Sequence, residues 1–124
     1  LESHARSYLD INCAHCHRRT STDDGSLKDD GKAGYSGLKI EFWREFDTNL
    51  VAHGVCKTPI AFTAEGVPFD IWPGDATKSV IPYRMALSTA KRMPEVGRDL
   101  IHDEGIALVE AWINSMPAQD CGQP

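Results

Sequence analysis

The chain has 124 residues, a formal net charge of −5 with neutral histidines, and 41% hydrophobic residues. This length predicts a single domain over residues 1–124, with enough apolar residues for a core of ordinary size. The mildly acidic balance argues against a nucleic-acid surface, and no apolar run reaches the length of a membrane span. The sequence begins at Leu1 without an initiator methionine or a signal peptide, so we expect a processed form or an excised domain.

The first predicted element is a helix over residues 2–16. Ser3 can cap it, and Tyr8 and Leu9 contribute to one apolar face at helical spacing. This helix runs into Cys13-Ala14-His15-Cys16-His17, which has the C-x-x-C-H pattern of covalent haem attachment. The motif is the most specific chemical signal in the chain.

The spacing of this motif follows from the chemistry of haem. Haem carries two vinyl groups, each of which can form a thioether with a thiol, and Cys13 and Cys16 lie about one helical turn apart. His17 then projects towards the iron and can serve as its proximal ligand. His15 lies between the cysteines and is expected at the surface or beside a residue that holds the haem. The motif therefore predicts one covalently bound haem c as the cofactor.

The middle of the chain predicts loops and short extended pieces. Residues 18–37 are rich in charge and glycine, which favours a solvated loop. Apolar and charged residues alternate over 38–42, as in a strand, and residues 67–72 form a second extended candidate that could pair with it. A short helical turn is predicted over residues 50–52, ended by Gly54.

The second half predicts two helices separated by a loop. Pro73-Gly74-Asp75 is a turn, and a helix capped by Asp75 or Ser79 runs to about residue 87. Ser79 is favoured as the cap because it places Pro82 in the first turn of the helix. Residues 90–98 form a loop that contains Met93-Pro94, and an amphipathic helix follows over residues 103–115.

In this order, the attachment motif, Met93-Pro94 and Trp112-Ile113 resemble the class I single-haem c-type cytochromes. The stretches Tyr8 to His17, Pro73 to Ser79 and Met93 to Arg98 are similar to the cytochrome domains appended to bacterial periplasmic dehydrogenases and propeller proteins. The resemblance spans most of the chain. It implies a mainly α protein with the class I cytochrome c fold, in which the first and last helices cross around one haem, with a small β insertion here.

The resemblance also implies a role and a location. It implies a periplasmic or otherwise exported electron-transfer domain, not an enzyme, that serves a redox protein partner or a fused dehydrogenase domain. One departure concerns the proximal histidine. Many class I members have a Gly-Pro soon after the attachment site, whose carbonyl orients the imidazole, but no proline lies between His17 and Pro59. The partner of the second nitrogen of His17 therefore stays open, although one is expected.

Met93 is the favoured sixth ligand of the iron, beside His17. It lies in a loop, where Pro94 keeps the following backbone extended, and the thioether can face the iron. Met85 lies in a predicted helix and is equally well explained by packing. The other candidates are Met116, His4, His53 and His102.

Four further residues have candidate roles. Arg84 and Trp72 are candidate donors to the haem propionates, because buried carboxylates need charge-assisted partners. Their alternative roles are a surface arginine and a core tryptophan. Cys56 and Cys121 remain after haem attachment and could form a disulfide in an oxidising compartment, or stay as two free buried thiols.

A zinc-binding structural module is the competing interpretation. Cys13, Cys16, His53 and Cys56 would form a Cys₃His set with plausible local spacing. That interpretation leaves His17 and the Met-Pro loop unexplained. A small haem peroxidase is a third class, and a methionine on the far side of the iron argues against it, because turnover needs an open iron position.

Overall fold

A computed structural model gives the structure of the chain and describes residues 1–18, 20–21, 27–28, 36–94 and 100–124. In this part the protein is mainly helical, in agreement with the predicted class. None of the helices described there is both long and apolar enough to cross a bilayer. The elements in chain order are helix α1 (Glu2–Leu9), a π-helical turn (Asp10–Ala14), strands β1 (Thr20–Ser21) and β2 (Leu27–Lys28), a 3₁₀ turn (Ala76–Lys78), helix α2 (Val80–Met85) and helix α3 (Asp103–Ser115).

Helix α1 is shorter than predicted and changes character near the cysteines. It starts after Leu1 without a side-chain cap, so the prediction of Ser3 as the cap is wrong. At Asp10 the α-helix widens into the π-helical turn that contains Cys13. The amide of Asn12 donates to the carbonyl of Tyr8 at 2.8 Å, and a side chain that enters the backbone ladder in this way is a common cause of such distortion.

The strand predicted over residues 38–42 is wrong. Lys39 and Glu41 are as buried as Leu38 and Ile40, so the alternation does not separate a core face from a solvent face. The backbone of this stretch bonds to two different segments: Lys39 N–H donates to the Ala52 carbonyl at 2.7 Å, and Ile40 N–H donates to the His17 carbonyl at 3.3 Å. Through these two hydrogen bonds, this stretch, called the connector below, links the attachment motif to residues 49–54.

The predicted pairing of residues 67–72 with residues 38–42 is also wrong. Phe69 forms an isolated parallel bridge with Ser79, and Ile71 forms one with Val55. The paired strands that the structure does describe, β1 and β2, are antiparallel and lie within the predicted solvated loop of residues 18–37. Most of that loop lies outside the described residues. Residues 50–54 form hydrogen-bonded turns, with Gly54 N–H on the Val51 carbonyl at 2.9 Å.

The turn before α2 forms as predicted. Asp75 N–H donates to the Trp72 carbonyl at 3.0 Å, and Gly74 has a φ of +82°, which glycine adopts without strain. Ser79 precedes α2 and Pro82 falls in its first turn, as expected. The Ser79 hydroxyl makes no cap bond; it donates to the Asp75 carbonyl at 3.0 Å and accepts from Trp72 N–H at 2.9 Å.

Helix α2 ends at Met85, before the predicted residue 87. The Arg84 carbonyl accepts from Leu87 N–H at 3.3 Å and from Met93 N–H at 3.1 Å. These two donors occupy the carbonyl that a longer helix would use. The second bond also ties the Met-Pro loop to the end of α2. Of the predicted loop 90–98, residues 95–98 lie outside the described residues.

Helix α3 has the predicted bounds and packs its apolar stripe against α1. The buried side chains of this core include Ala5 and Leu9 from α1 and Val109, Trp112 and Ile113 from α3. Tyr8 lies directly against α3 at Gly105, because a Cβ built there would overlap the ring and hydroxyl of Tyr8. Tyr8 is held in place by its hydroxyl, which lies 2.9 Å from His102 Nδ1.

A disulfide joins Cys56 to Cys121, the two cysteines for which the sequence offers a bridge or two free thiols. It links residues 65 positions apart, and so ties the tail after α3 to the middle of the chain. In the chain-entropy description, closing a loop of this length stabilises the folded state by about 4 kcal/mol.

The contact between Gly105 and Tyr8 yields a prediction about stability. Gly105→Ala should lower the free energy of unfolding by about 1–3 kcal/mol, although alanine favours helix, because the methyl group would displace the Tyr8 ring. Denaturant unfolding would measure the change. In a protein that already carries Tyr8→Leu, Gly105→Ala should lower the free energy of unfolding much less, since the clashing ring is gone.

Ala111→Gly serves as the control for this prediction. Ala111 is exposed on the same helix, and its change to glycine should lower the free energy of unfolding by about 1 kcal/mol through helix propensity alone. If Gly105→Ala proves more stable than the parent protein, the close approach of the two helices is refuted.

Candidate functional site

The candidate site is a cavity of about 230 Å³ beside the C-x-x-C-H motif. The wall is formed by the motif with the connector that follows it, the segment 57–62, helix α2 and the Met-Pro loop, together with Leu9 of α1 and Asp70. The side chains with chemical functions in this wall are Asn12, Cys13, His15, Cys16, His17, Ser36, Lys57, Asp70, Arg84, Met85 and Met93. The rest of the wall is largely apolar, with Leu9, Leu38, Ile40, Phe62, Val80 and Ile81 among its residues.

Cys13 and Cys16 both reach this cavity as free, half-buried thiols. The turn that holds them is closed by two bonds to the Cys13 carbonyl, from Cys16 N–H at 3.1 Å and from His17 N–H at 3.0 Å. Burial, and to a lesser extent Cys16, raises the pKa of the Cys13 thiol to about 12. This thiol is therefore protonated at neutral pH.

His17 lines the same cavity as a neutral imidazole. Burial is the main cause that lowers its pKa to about 4, and nearby cations, Lys39 and Arg84 foremost, add to the effect. Its Nδ1 atom lies 3.1 Å from the Ser36 hydroxyl oxygen. A neutral imidazole has a lone pair for a metal only on the nitrogen without a proton, so a proton held on Nδ1 leaves Nε2 as the ligand atom.

The group beside Nδ1 of His17 is thus a serine hydroxyl, whereas many class I cytochromes have a backbone carbonyl there. Sequence reasoning left this partner open and did not identify Ser36. The signal was weak, because Ser36 lies 19 residues from His17 in a segment without a recognisable motif. The contact forms only because the connector returns alongside the attachment turn.

Two methionines line the cavity, Met85 and Met93. Met85 is buried in α2, whereas Met93 is half-buried in the loop. The structure thus brings the favoured sixth ligand and its main competitor to one site. His102 lines only a small adjoining space of about 20 Å³, and the remaining candidates His4, His53 and Met116 line neither space.

Arg84 lines the cavity, as its predicted role with the haem propionates requires. Its guanidinium lies 4.7 Å from the centre of the Phe62 ring, and its Nε donates to the Lys91 carbonyl at 2.8 Å. Trp72 does not line the cavity. The chain turns at Trp72, whose ring instead packs against Phe69 at 5.5 Å, with Lys78 Nζ over it at 4.9 Å.

A buried ion pair in the cavity wall was missed by sequence reasoning. Lys57 Nζ lies 3.3 Å from an Asp70 carboxylate oxygen, and both side chains are largely shielded from solvent. Burial raises the pKa of Asp70, although Lys57 acts in the opposite direction. Asp70 N–H also donates to the Lys57 carbonyl at 2.7 Å. No local pattern marks the two residues, since this pairing of distant segments brings them together.

The four residues of the zinc interpretation are not assembled by the structure. Cys56 is bonded to Cys121 and has no thiolate to offer a metal. Over the described residues, no group of three or more histidine, cysteine and acidic side chains could hold a metal ion. The structure therefore gives the Cys₃His set no support.

His53 lies in a different buried cluster, between α1 and residues 41–49. Its Nδ1 lies 3.0 Å from the Asn49 carbonyl, and its Nε2 lies 3.4 Å from a guanidinium nitrogen of Arg6. Its ring meets Phe46 edge-on at 5.2 Å. A donated Nδ1–H leaves Nε2 to accept from Arg6, so the neutral imidazole fits both partners. Burial is the main cause that lowers the pKa of His53, with Arg6 and Arg44 acting in the same direction and Glu41 and Asn49 opposing them.

This environment predicts a pH dependence of stability. A histidine whose folded pKa is lowered binds fewer protons when folded than when unfolded, so its contribution to stability is lost as the pH falls below the ordinary value of 6.5. We expect the free energy of unfolding to fall less between pH 7 and pH 5 in His53→Gln than in the parent protein. The difference is at most about 1.4 kcal/mol per pH unit for one proton.

Denaturant unfolding at several pH values would measure this effect, with His4→Gln as the control because His4 is exposed. The comparison between variants removes the contributions of the other histidines. An identical pH dependence in His53→Gln and the parent protein would contradict the prediction.

Comparisons of this chain with protein-family models, with curated proteins and with solved structures find no match. The defining property of the cavity is that two free thiols, a neutral imidazole and two thioethers meet at one largely apolar space.

Proposed function

We propose that this chain is a class I c-type cytochrome domain that carries one covalent haem and transfers single electrons outside the cytoplasm. The observation that carries the proposal is the shared cavity of Cys13, Cys16, His17 and Met93. These residues come from two regions about 80 positions apart in the chain, and a packing role alone gives no reason for them to meet.

The residues around the cavity fit a haem. Two thiols separated by two residues match the two vinyl groups, and the unprotonated nitrogen of His17 matches a metal ligand. The apolar wall suits a flat macrocycle, and Arg84 supplies a cation in that wall for a propionate. Lys57 in the same wall is paired with Asp70, and Trp72 lies away from the cavity.

Each part of the site has a distinct task in this proposal. Bound haem supplies an iron that alternates between the ferric and ferrous states. Cys13 and Cys16 would hold the macrocycle covalently, and His17 and Met93 would ligate its iron, which favours electron transfer over substrate turnover. The apolar wall excludes water and so keeps the local dielectric constant low. Ile60, in the cavity wall, is 66% exposed and would form part of the surface that a redox partner approaches.

The disulfide supports an exported location. Bridges such as Cys56–Cys121 persist in oxidising compartments and are rare in the cytoplasm. A periplasmic redox protein, or a dehydrogenase domain in the same polypeptide, would be the electron donor or acceptor.

The first test is the presence of covalent haem. The denatured protein should keep a haem spectrum, and its mass should exceed that of the chain by one haem. Cys13→Ala/Cys16→Ala should lose both signals, because no thioether can form. His15→Ala is the matched control, since His15 lies between the cysteines but is exposed, and it should keep them. Metal analysis that found one zinc and no iron would refute the proposal.

The same preparation tests the type of chemistry. Reduced protein should return its electron to a small acceptor, and peroxide turnover should stay far below enzymatic rates because His17 and Met93 would both ligate the iron. Peroxidase activity at ordinary enzymatic rates in the native protein would contradict electron transfer as the function.

Met93 and Met85 are distinguished by a second prediction. Ferric haem with a thioether ligand has a weak charge-transfer band in the far red. Met93→Ala should abolish this band and lower the reduction potential, because the soft thioether favours the ferrous state. Met85→Ala should keep the band and destabilise the fold by about 2–5 kcal/mol, as expected for a buried methionine.

Absorbance spectra of the ferric variants and potentiometric titration provide the readouts. If the band survives in Met93→Ala and disappears in Met85→Ala, the ligand lies in α2. If the parent protein already lacks the band, a histidine such as His102 is the ligand.

A further inference from the structure

We infer that Ser36 is the residue that orients the imidazole of His17 and sets how strongly that imidazole binds iron. This inference rests on the proposed function, and it adds a positioning residue to it. The observation behind it is the distance of 3.1 Å between His17 Nδ1 and the Ser36 hydroxyl oxygen, at a part-buried position in the cavity wall.

The other contact of the hydroxyl leaves it able to accept this hydrogen bond. Ser36 Oγ accepts from Leu38 N–H at 3.2 Å, which uses one of its two lone pairs. The second lone pair can accept from Nδ1–H of His17. In that arrangement Nε2 has no proton and is the metal-binding nitrogen, as the proposed ligation requires.

The backbone holds the hydroxyl in place on both sides. The bond from Leu38 N–H to Ser36 Oγ is a local side-chain turn, and Gly37 within it has a φ of +71°. A side chain at Gly37 would be strained at this φ, and its Cβ would lie 3.2 Å from Lys57 Cε. Ile40 N–H then donates to the His17 carbonyl at 3.3 Å, which fastens the connector to the residue it orients.

The kind of acceptor matters for the electronic property of the site. An acceptor on Nδ1–H increases the electron density of the imidazole and so stabilises ferric iron. A neutral hydroxyl is a weaker acceptor than a carboxylate. Ser36 should therefore lower the reduction potential relative to a protein without an acceptor, and less than a carboxylate at the same position would.

The test is a series of substitutions at Ser36 in the haem-loaded protein. The reduction potential should rise in Ser36→Ala, stay near the parent value in Ser36→Thr, which keeps the hydroxyl, and fall in Ser36→Asp. Ser79→Ala is the matched control, because Ser79 is a buried serine whose hydroxyl bonds only to Trp72 and Asp75 among the described contacts. It should leave the potential unchanged.

A second readout measures the hydrogen bond itself. In the ferrous, diamagnetic parent protein, the Nδ1–H proton of His17 should be visible by NMR and protected from exchange, and the protection should be lost in Ser36→Ala. This measurement on the parent protein remains decisive if a variant fails to fold.

Equal potentials in the parent, Ser36→Ala and Ser36→Asp proteins, or an unprotected Nδ1–H in the parent, would overturn the role of Ser36. Neither result would affect the proposed function as long as the parent protein carries covalent haem. Absence of covalent haem from the parent would instead refute the proposed function itself.

Discussion

The structure depends first on the contact between helices α1 and α3. Gly105 has no side chain, and this allows Tyr8 to lie directly against the backbone of α3. The apolar faces of both helices then form one core with Leu9, Val109 and Trp112. Because the π-helical turn with Cys13 follows α1 without a break, this contact also fixes the position of the attachment motif. The packing of α1 against α3 therefore helps to set the geometry of the cavity.

The remaining walls of the cavity are held by contacts between segments far apart in the chain. The connector after the motif is bonded through Lys39 and Ile40 to two different segments. Lys57 and Asp70 form a buried ion pair in the wall, and the disulfide from Cys56 ties the neighbouring backbone to the tail. A buried ion pair is rarely an efficient source of stability, because both charges lose their hydration.

His17 and His53 show how different surroundings give two similar side chains different roles. Burial lowers the pKa of both His17 and His53, and both are neutral at physiological pH. His53 has its two nitrogens occupied by Asn49 and Arg6, which makes it part of the core. His17 has Ser36 on one nitrogen and lines the cavity, which suits a ligand. The zinc interpretation needed His53 at a metal site, and its hydrogen bonds give it a structural role instead.

The sequence by itself determined the elements whose signals are local. The attachment motif, the turn at Gly74, the position of Pro82 in α2 and the bounds of α3 all depend on residues within a few positions of one another, and the structure contains each of them. The features that depend on contacts between distant segments were decided only by the tertiary structure. The burial of Lys39 and Glu41 removed the predicted strand, and the segments that form the cavity wall do not include Trp72. Ser36 and Lys57 entered the site for the same reason, because hydrogen bonds between segments far apart in sequence leave no periodic trace in the sequence.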